Sequence, residues 1–182
     1  MKNKILVTGV FLLLVLAAGG YWVYSERGET TVYGAIEKTG RRGSRVIYQE
    51  KVKGGVVVFT KRLTGDSNTI DAGYVKKGLF GWKWILGGGF SGHSGQYFQA
   101  VSGTPFPMLV GTIDNDQTTE IKVTDSEHRN SKDAKIVGTG DDRIWFVFVN
   151  ESDGPAFEID TLSDSGNVLN SKTIDIRTST TF

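Results

Sequence analysis

The residues with the clearest chemical potential are Ser91, His93 and Ser94, which place two hydroxyls and an imidazole in the stretch Phe90-Ser-Gly-His-Ser-Gly95. Such a set could supply a nucleophile and its general base. The spacing argues otherwise. A nucleophile elbow needs Gly-x-Ser-x-Gly, and neither Gly89-Phe-Ser91-Gly nor Gly92-His-Ser94-Gly meets it. Gly87-Gly-Gly-Phe-Ser-Gly92 formally matches G-x-G-x-x-G, but phosphate binding of that kind needs a helix N-terminus, and Ser94-Gly-Gln96 opens no amphipathic helix. His93 therefore reads as a loop residue, and His128 sits in the polar loop Ser126-Glu-His-Arg-Asn-Ser131. Asp114-Asn-Asp116, Asp141-Asp142 and Asp164-Ser-Gly-Asn167 offer the oxygen ligands that Ca²⁺ takes, yet none follows the twelve-residue loop pattern. Asp and Asn in turns are explained by local hydrogen bonding to the backbone. The chain has no cysteine, which excludes a disulfide framework, Cys-based zinc sites and a thiol nucleophile. No catalytic residue, cofactor or metal is expected. A secreted hydrolase with a site near Ser91 and His93 is the enzymatic alternative.

A second kind of chemistry, recognition by a surface, is offered by Gly73-Tyr-Val-Lys-Lys-Gly-Leu-Phe-Gly-Trp-Lys-Trp-Ile-Leu-Gly-Gly-Gly89. Two strand-like runs flank Lys77-Gly-Leu-Phe-Gly81, a turn framed by glycines, so the segment reads as a hairpin. Alternation puts Trp82 and Trp84 on one face and Lys83 on the other. Two large aromatics on one face are expected to be core, each largely buried. Were they exposed, they would form a flat apolar platform flanked by Lys76 and Lys77. Lys76, Lys77, Trp82 and Trp84 are the candidate partner-binding residues.

The elements that must hold these groups are strands. Of the 182 residues, 38% are hydrophobic and 11% aromatic, enough for a packed core. Apolar runs after Gly43 are short, rich in β-branched and aromatic residues, and bounded by Gly, Asp, Asn or Ser. They predict strands over Arg45–Glu50, Val56–Lys61, Ile70–Lys76, Trp82–Leu86, Tyr97–Val101, Met108–Ile113, Glu120–Thr124, Lys135–Gly138, Ile144–Asn150, Phe157–Leu162 and Lys172–Arg177. Twenty-four glycines are about twice the usual share, and the excess is expected in turns. Val32, Tyr33 and Ile36, with Thr30 or Thr31 as cap, predict one short helix before the strands. The fold class is all-β, sandwich-like or barrel-like.

Upstream, Lys2 and Lys4 precede an uncharged run from Ile5 to Tyr24, twenty residues and long enough to cross a bilayer as a helix. It predicts a cytoplasmic tail at 1–4 and a transmembrane anchor or signal segment at 5–24. Small residues Ala17 to Gly20 would suit signal cleavage, but the run continues through Tyr21, Trp22 and Tyr24, whose rings favour the membrane interface. A retained anchor is the favoured reading and secretion after cleavage the alternative. With so short a tail, the body is expected outside the cell. From Glu26 to Gly95 there are twelve Lys/Arg against six Asp/Glu; from Gln96 to Phe182 there are seven against fourteen. A basic half, 25–103, carrying the Gly-Trp-Lys-Trp hairpin is thus followed by an acidic β-sandwich-like half, 104–182. The basic half suits anionic lipid headgroups or a cell-wall polymer, unless the halves neutralise each other across a shared core. The net charge of +1 argues against nucleic acid.

Two stretches carry a resemblance. Gly73–Gly89 and Arg143-Ile-Trp-Phe-Val-Phe148, the latter followed by Phe157-Glu-Ile-Asp-Thr-Leu162 and Asp164-Ser-Gly-Asn-Val168, resemble a group of uncharacterised membrane-anchored or secreted proteins of spore-forming Gram-positive bacteria. The resemblance implies an extracytoplasmic globular domain behind an N-terminal hydrophobic segment, and it brings no catalytic residue with it. The expectation is a non-catalytic binding or interaction module at the cell surface, of unknown oligomeric state, with an accessory subunit of a membrane complex as a further alternative.

Overall fold

The structure is a computed structural model that describes residues 14–21, 27–63, 69–90 and 95–177. Residues 14–21 are helical, with Leu14, Val15, Leu16 and Tyr21 all exposed. The rest of the predicted anchor lies outside the described residues, among which no helix is long and apolar enough to cross a membrane.

The short helix Val32–Glu37 is capped as its sequence suggests: the Thr31 hydroxyl accepts the Gly34 N–H at 3.0 Å. Twelve strands follow among the described residues, all paired antiparallel. β1 (Arg45–Val52), β2 (Gly55–Lys61), β3 (Ile70–Gly78) and β4 (Gly81–Phe90) form a first sheet in sequence order. β5 (Gln96–Phe98), β6 (Met108–Thr112), β9 (Lys135–Val137) and β10 (Ile144–Phe148) form a second, ordered β5-β6-β10-β9. β7 (Glu120–Asp125), β8 (Ser131–Asp133), β11 (Ala156–Leu162) and β12 (Val168–Asp175) form a third, ordered β12-β11-β7-β8. The domain is all-β.

The second sheet lies between the other two. Met108, Val110, Ile144 and Phe146 point into a cluster with Val57, Phe59, Ala72 and Tyr74 of the first sheet. Leu109, Trp145 and Val147, the alternate residues, point into a cluster with Ile121, Val123, Phe157 and Ile159 of the third. Both faces being buried, β6 and β10 read as unbroken apolar runs. β7 and β11 alternate instead, because the outer face of the third sheet meets water. The outer face of the first sheet is covered by the short helix: Ala35 and Ile36 pack on Val56, Val58 and Val75, with Trp82 and Trp84 at the margin of that cluster.

Glycine placement corrects the sequence reading. Only part of the excess serves turns; Gly73, Gly87, Gly88, Gly89 and Gly111 stand inside strands. β4 therefore runs past Leu86 to Phe90, and Gly87, Gly88 and Gly89 pair with Gly73, Ala72 and Asp71 of β3 rather than forming a loop. Gly73, Gly87 and Gly111 let indole rings lie against the sheet. A Cβ at Gly73 would overlap the Trp84 ring, and one at Gly111 would come within 2.6 Å of Trp145 Nε1. Trp145 and Gly111 are direct cross-strand partners. The three-residue strand β8 was not expected, since Ser-Lys-Asp has no apolar residue to signal it.

The basic and acidic halves meet in ion pairs. Asp142 accepts from Arg45 and, at 2.7 Å, from Lys61, while Lys135 reaches Glu50 at 2.7 Å. Ser102–Pro107, the compositional boundary, connects β5 to β6, hydrogen-bonded neighbours of the middle sheet.

Candidate functional site

Three of the four candidate residues, Lys77, Trp82 and Trp84, share one face at one end of the first sheet, where β3 and β4 turn through Leu79-Phe80 between the paired Gly78 and Gly81, and Lys76 stands on the other face with Lys83. Lys77 opposes Trp82 and Lys76 opposes Lys83, so lysines and tryptophan converge at the tip. Lys77 Nζ lies 5.6 Å from the Trp82 ring centroid. Leu79 is 95% exposed and Phe80 41%, an apolar tip above a lysine collar.

The tryptophans pack against the core, as alternation suggests, without being fully enclosed. Both are half-buried, packed against the cluster that Ala35 and Ile36 of the short helix form with Val56, Val58 and Val75. Each ring has a specific seat. Trp84 lies over Gly73 and Gly87, with the Arg41 guanidinium 4.6 Å from its centroid on the exposed side. Trp82 is bracketed by the incoming chain: its N–H donates to Glu29 O and its carbonyl accepts from Glu29 N, both at 2.7 Å. Gly28 N–H donates to Phe80 O at 3.1 Å, and the contact is close enough that a Cβ on Gly28 would come within 2.6 Å of Gly81. The residues after the predicted anchor are thereby laced to the hairpin.

At the opposite end of the same face is a group that sequence reasoning missed. Asp71, fully buried on β3, accepts from Arg62 Nε and Nη2 at 2.8 and 2.9 Å, and Arg41 Nε stands 3.6 Å from its Oδ1. The hydrogen bonds and charge of Asp71 raise the Arg62 pKa. Arg41, Arg42 and Arg62, with Thr39, Gly40 and Ser44, line a pocket of about 390 Å³.

Ser91, His93 and Ser94 lie outside the described residues. The other histidine, His128, is a structural partner: its Nδ1 lies 2.6 Å from Asp125 Oδ2. Burial alone would raise the Asp125 carboxyl. Donors from the Glu127, Gly154 and His128 backbones and from the His128 ring outweigh it and hold the pKa at about 2. His128 is raised by its hydrogen bond to Asp125. The Asp125 contribution is complete above the ordinary carboxylate value near 4 and is lost as pH falls from there towards 2. Thermal melts of the full chain in detergent should show the midpoint dropping over that interval. Asp125→Asn should lower the midpoint at neutral pH and shrink the acid step; an acid step of unchanged size would disprove the assignment. Among the described residues, no group of three or more His, Asp or Glu is arranged to hold a metal ion.

Comparison with known protein families, curated proteins and solved structures finds no match to the chain.

Proposed function

We propose that the protein is a non-catalytic binding module, held at the outer surface of a membrane by its N-terminal apolar segment. In this reading the hairpin tip Leu79-Phe80 is set into the bilayer surface, and Lys76 and Lys77 rest on anionic headgroups. The carrying observation is the Gly28–Phe80 hydrogen bond, which ties the tip to the chain four residues after Tyr24. Four residues span at most about 14 Å, so an anchor ending at Tyr24 keeps the tip close to the interface. Exposed Leu14, Val15, Leu16 and Tyr21 and the exposed apolar tip add apolar surface that lipid would cover. Each lysine near an anionic surface contributes about 1 kcal/mol of attraction. Trp82, half-buried beside the tip, stands at the level where indole rings favour the interface.

The absence of cysteine makes a site-specific test direct. Leu79→Cys, labelled with an environment-sensitive fluorophore and reconstituted as the full chain in phosphatidylcholine–phosphatidylglycerol vesicles, should emit at shorter wavelength and be quenched by lipid-borne nitroxides. The same label on Ser165→Cys, in the exposed turn between β11 and β12, should report water. Equal accessibility of both labels to iodide would reject the docking of the tip.

A further inference from the structure

We infer that the arginine-lined pocket at the far end of the first sheet is a binding site for a phosphoryl oxyanion, presented from the side of the domain that faces away from the membrane. The binding site rests on reading the protein as a binding module; its orientation and the solution source of its ligand rest in addition on the tip being in the bilayer.

The local fold brings the guanidiniums together. After the helix, Gly40 and Gly43 adopt φ of +84° and +76°, a conformation L side chains rarely take, and between them the chain folds Arg41-Arg42 back towards the sheet. Ser44 N–H closes the loop on Arg41 O at 3.3 Å. Arg62 arrives from the end of β2, just past Lys61. Two of the three guanidiniums are held in place. Arg62 is fixed by its fork on Asp71. Arg41 is stacked on Trp84 and donates from Nη1 to Thr39 Oγ1 at 3.0 Å, while that hydroxyl donates to Ile36 O at 2.7 Å. Arg42 is exposed at the pocket lining.

Charge and hydrogen bonding then point to the ligand. Asp71 neutralises one of the three cations, so the pocket keeps a surplus of two positive charges. Arg41 Nε is buried 3.6 Å from Asp71 Oδ1 without a hydrogen bond, so Asp71 holds the inner edge of that guanidinium by charge alone. Ser44, buried to 4% exposure, also lines the pocket. Oriented guanidiniums and a serine suit a ligand with several acceptor oxygens and negative charge, the chemistry of a phosphate ester. The pocket of about 390 Å³ admits a phosphoryl group with part of what it is attached to.

Position distinguishes a lipid from a solution source. Asp71 and Lys77 are six residues apart on β3, about 20 Å along the strand. With the hairpin tip at the bilayer, the pocket opens at the other end of the sheet, beyond the headgroups. The ligand is accordingly a phosphate ester in solution or on a polymer outside the membrane.

The test titrates inorganic phosphate against the full chain in phosphatidylcholine nanodiscs, with chloride at matched ionic strength as control, read by calorimetry and by thermal midpoint. Saturable binding with a raised midpoint is expected. Arg42→Gln, an exposed change, should weaken binding about tenfold and leave the phosphate-free midpoint unchanged. Arg41→Lys, which keeps the charge but loses the planar fork, should weaken it as well. No saturable binding, or equal binding by wild type and Arg42→Gln, would overturn the site. Replacing the lipid with phosphatidylglycerol should leave phosphate affinity within about twofold; a tenfold loss would show that headgroups occupy the pocket and overturn the solution source. A water-exposed label at Leu79 beside intact phosphate binding would reject the membrane docking alone.

Discussion

Gly73→Ala is expected to lower the unfolding free energy by about 3 kcal/mol, an effect out of proportion to one methyl group. The added Cβ would occupy the space of the Trp84 six-membered ring. The ring also rests on Gly87, whose Cβ position its Cζ2 atom overlaps, so it is held against the sheet on two strands. It must swing away from the sheet, losing its contact with Val75 and the Arg41 guanidinium together. Against a typical total of about 5–15 kcal/mol, the variant should melt well below wild type. A double-mutant cycle supplies the discriminating measurement. Trp84→Ala alone should cost about 2–3 kcal/mol for a half-buried indole. In the Gly73→Ala background it should cost at least about 1 kcal/mol less, because the overlap it relieves has been removed. Additive costs in denaturant titrations would show that the ring does not sit on the glycine.

Asp71→Ala should be similarly severe, by about 3 kcal/mol, for an electrostatic reason. The carboxylate is fully buried and is the acceptor for the Arg62 fork, with Arg41 alongside. Removing it leaves two guanidiniums with no counter-charge at the covered end of the sheet, Arg41 being the more sheltered at 20% side-chain exposure. Arg62, 46% exposed, can turn to water, which limits the loss. Adding Arg62→Leu to Asp71→Ala should therefore recover part of the stability, as measured by chemical denaturation in detergent. A further loss of full size in the double variant would mean that Arg62 acts through something other than Asp71.

The strands were legible because their residues report on their surroundings. Ile144-Trp-Phe-Val-Phe148 and Met108-Leu-Val110 are apolar throughout since both faces are buried, and Glu120-Ile-Lys-Val-Thr124 alternates because one face is wet. The hairpin was legible from Gly78 and Gly81 framing Leu79-Phe80. Three things were hidden for physical reasons. Ser131–Asp133 lies at a sheet edge and owes its place to pairing with Lys122–Thr124, not to burial. Gly87-Gly-Gly89 has the composition of a loop, and its place as strand comes from pairing with Asp71–Gly73 and from the seat that Gly87 gives the Trp84 ring. The arginine pocket joins Arg41 and Arg42 to a residue twenty positions away, through a buried aspartate that a sequence reading treats as one polar interruption of an apolar run.

The position of the middle sheet has a consequence for how the chain reaches this structure. The first sheet is built from one continuous stretch, residues 45–90, by successive hairpins, and its pairings need only short loops to close. The other two are interleaved along the chain: β7 and β8 of the third sheet are made between β6 and β9 of the second, and β10 separates β8 from β11. The second must join β6 to β10 across β7, β8 and β9, and the third must join β7 to β11 across β8, β9 and β10, so the last steps of assembly pair segments far apart in sequence, which makes them slow. Until they finish, Leu109, Trp145 and Val147 on the face of β6 and β10 that the third sheet covers stay exposed. A chain in that condition would be a client for chaperones, and its vulnerable interval would be set by the closure of the centre rather than by the hairpins that form first.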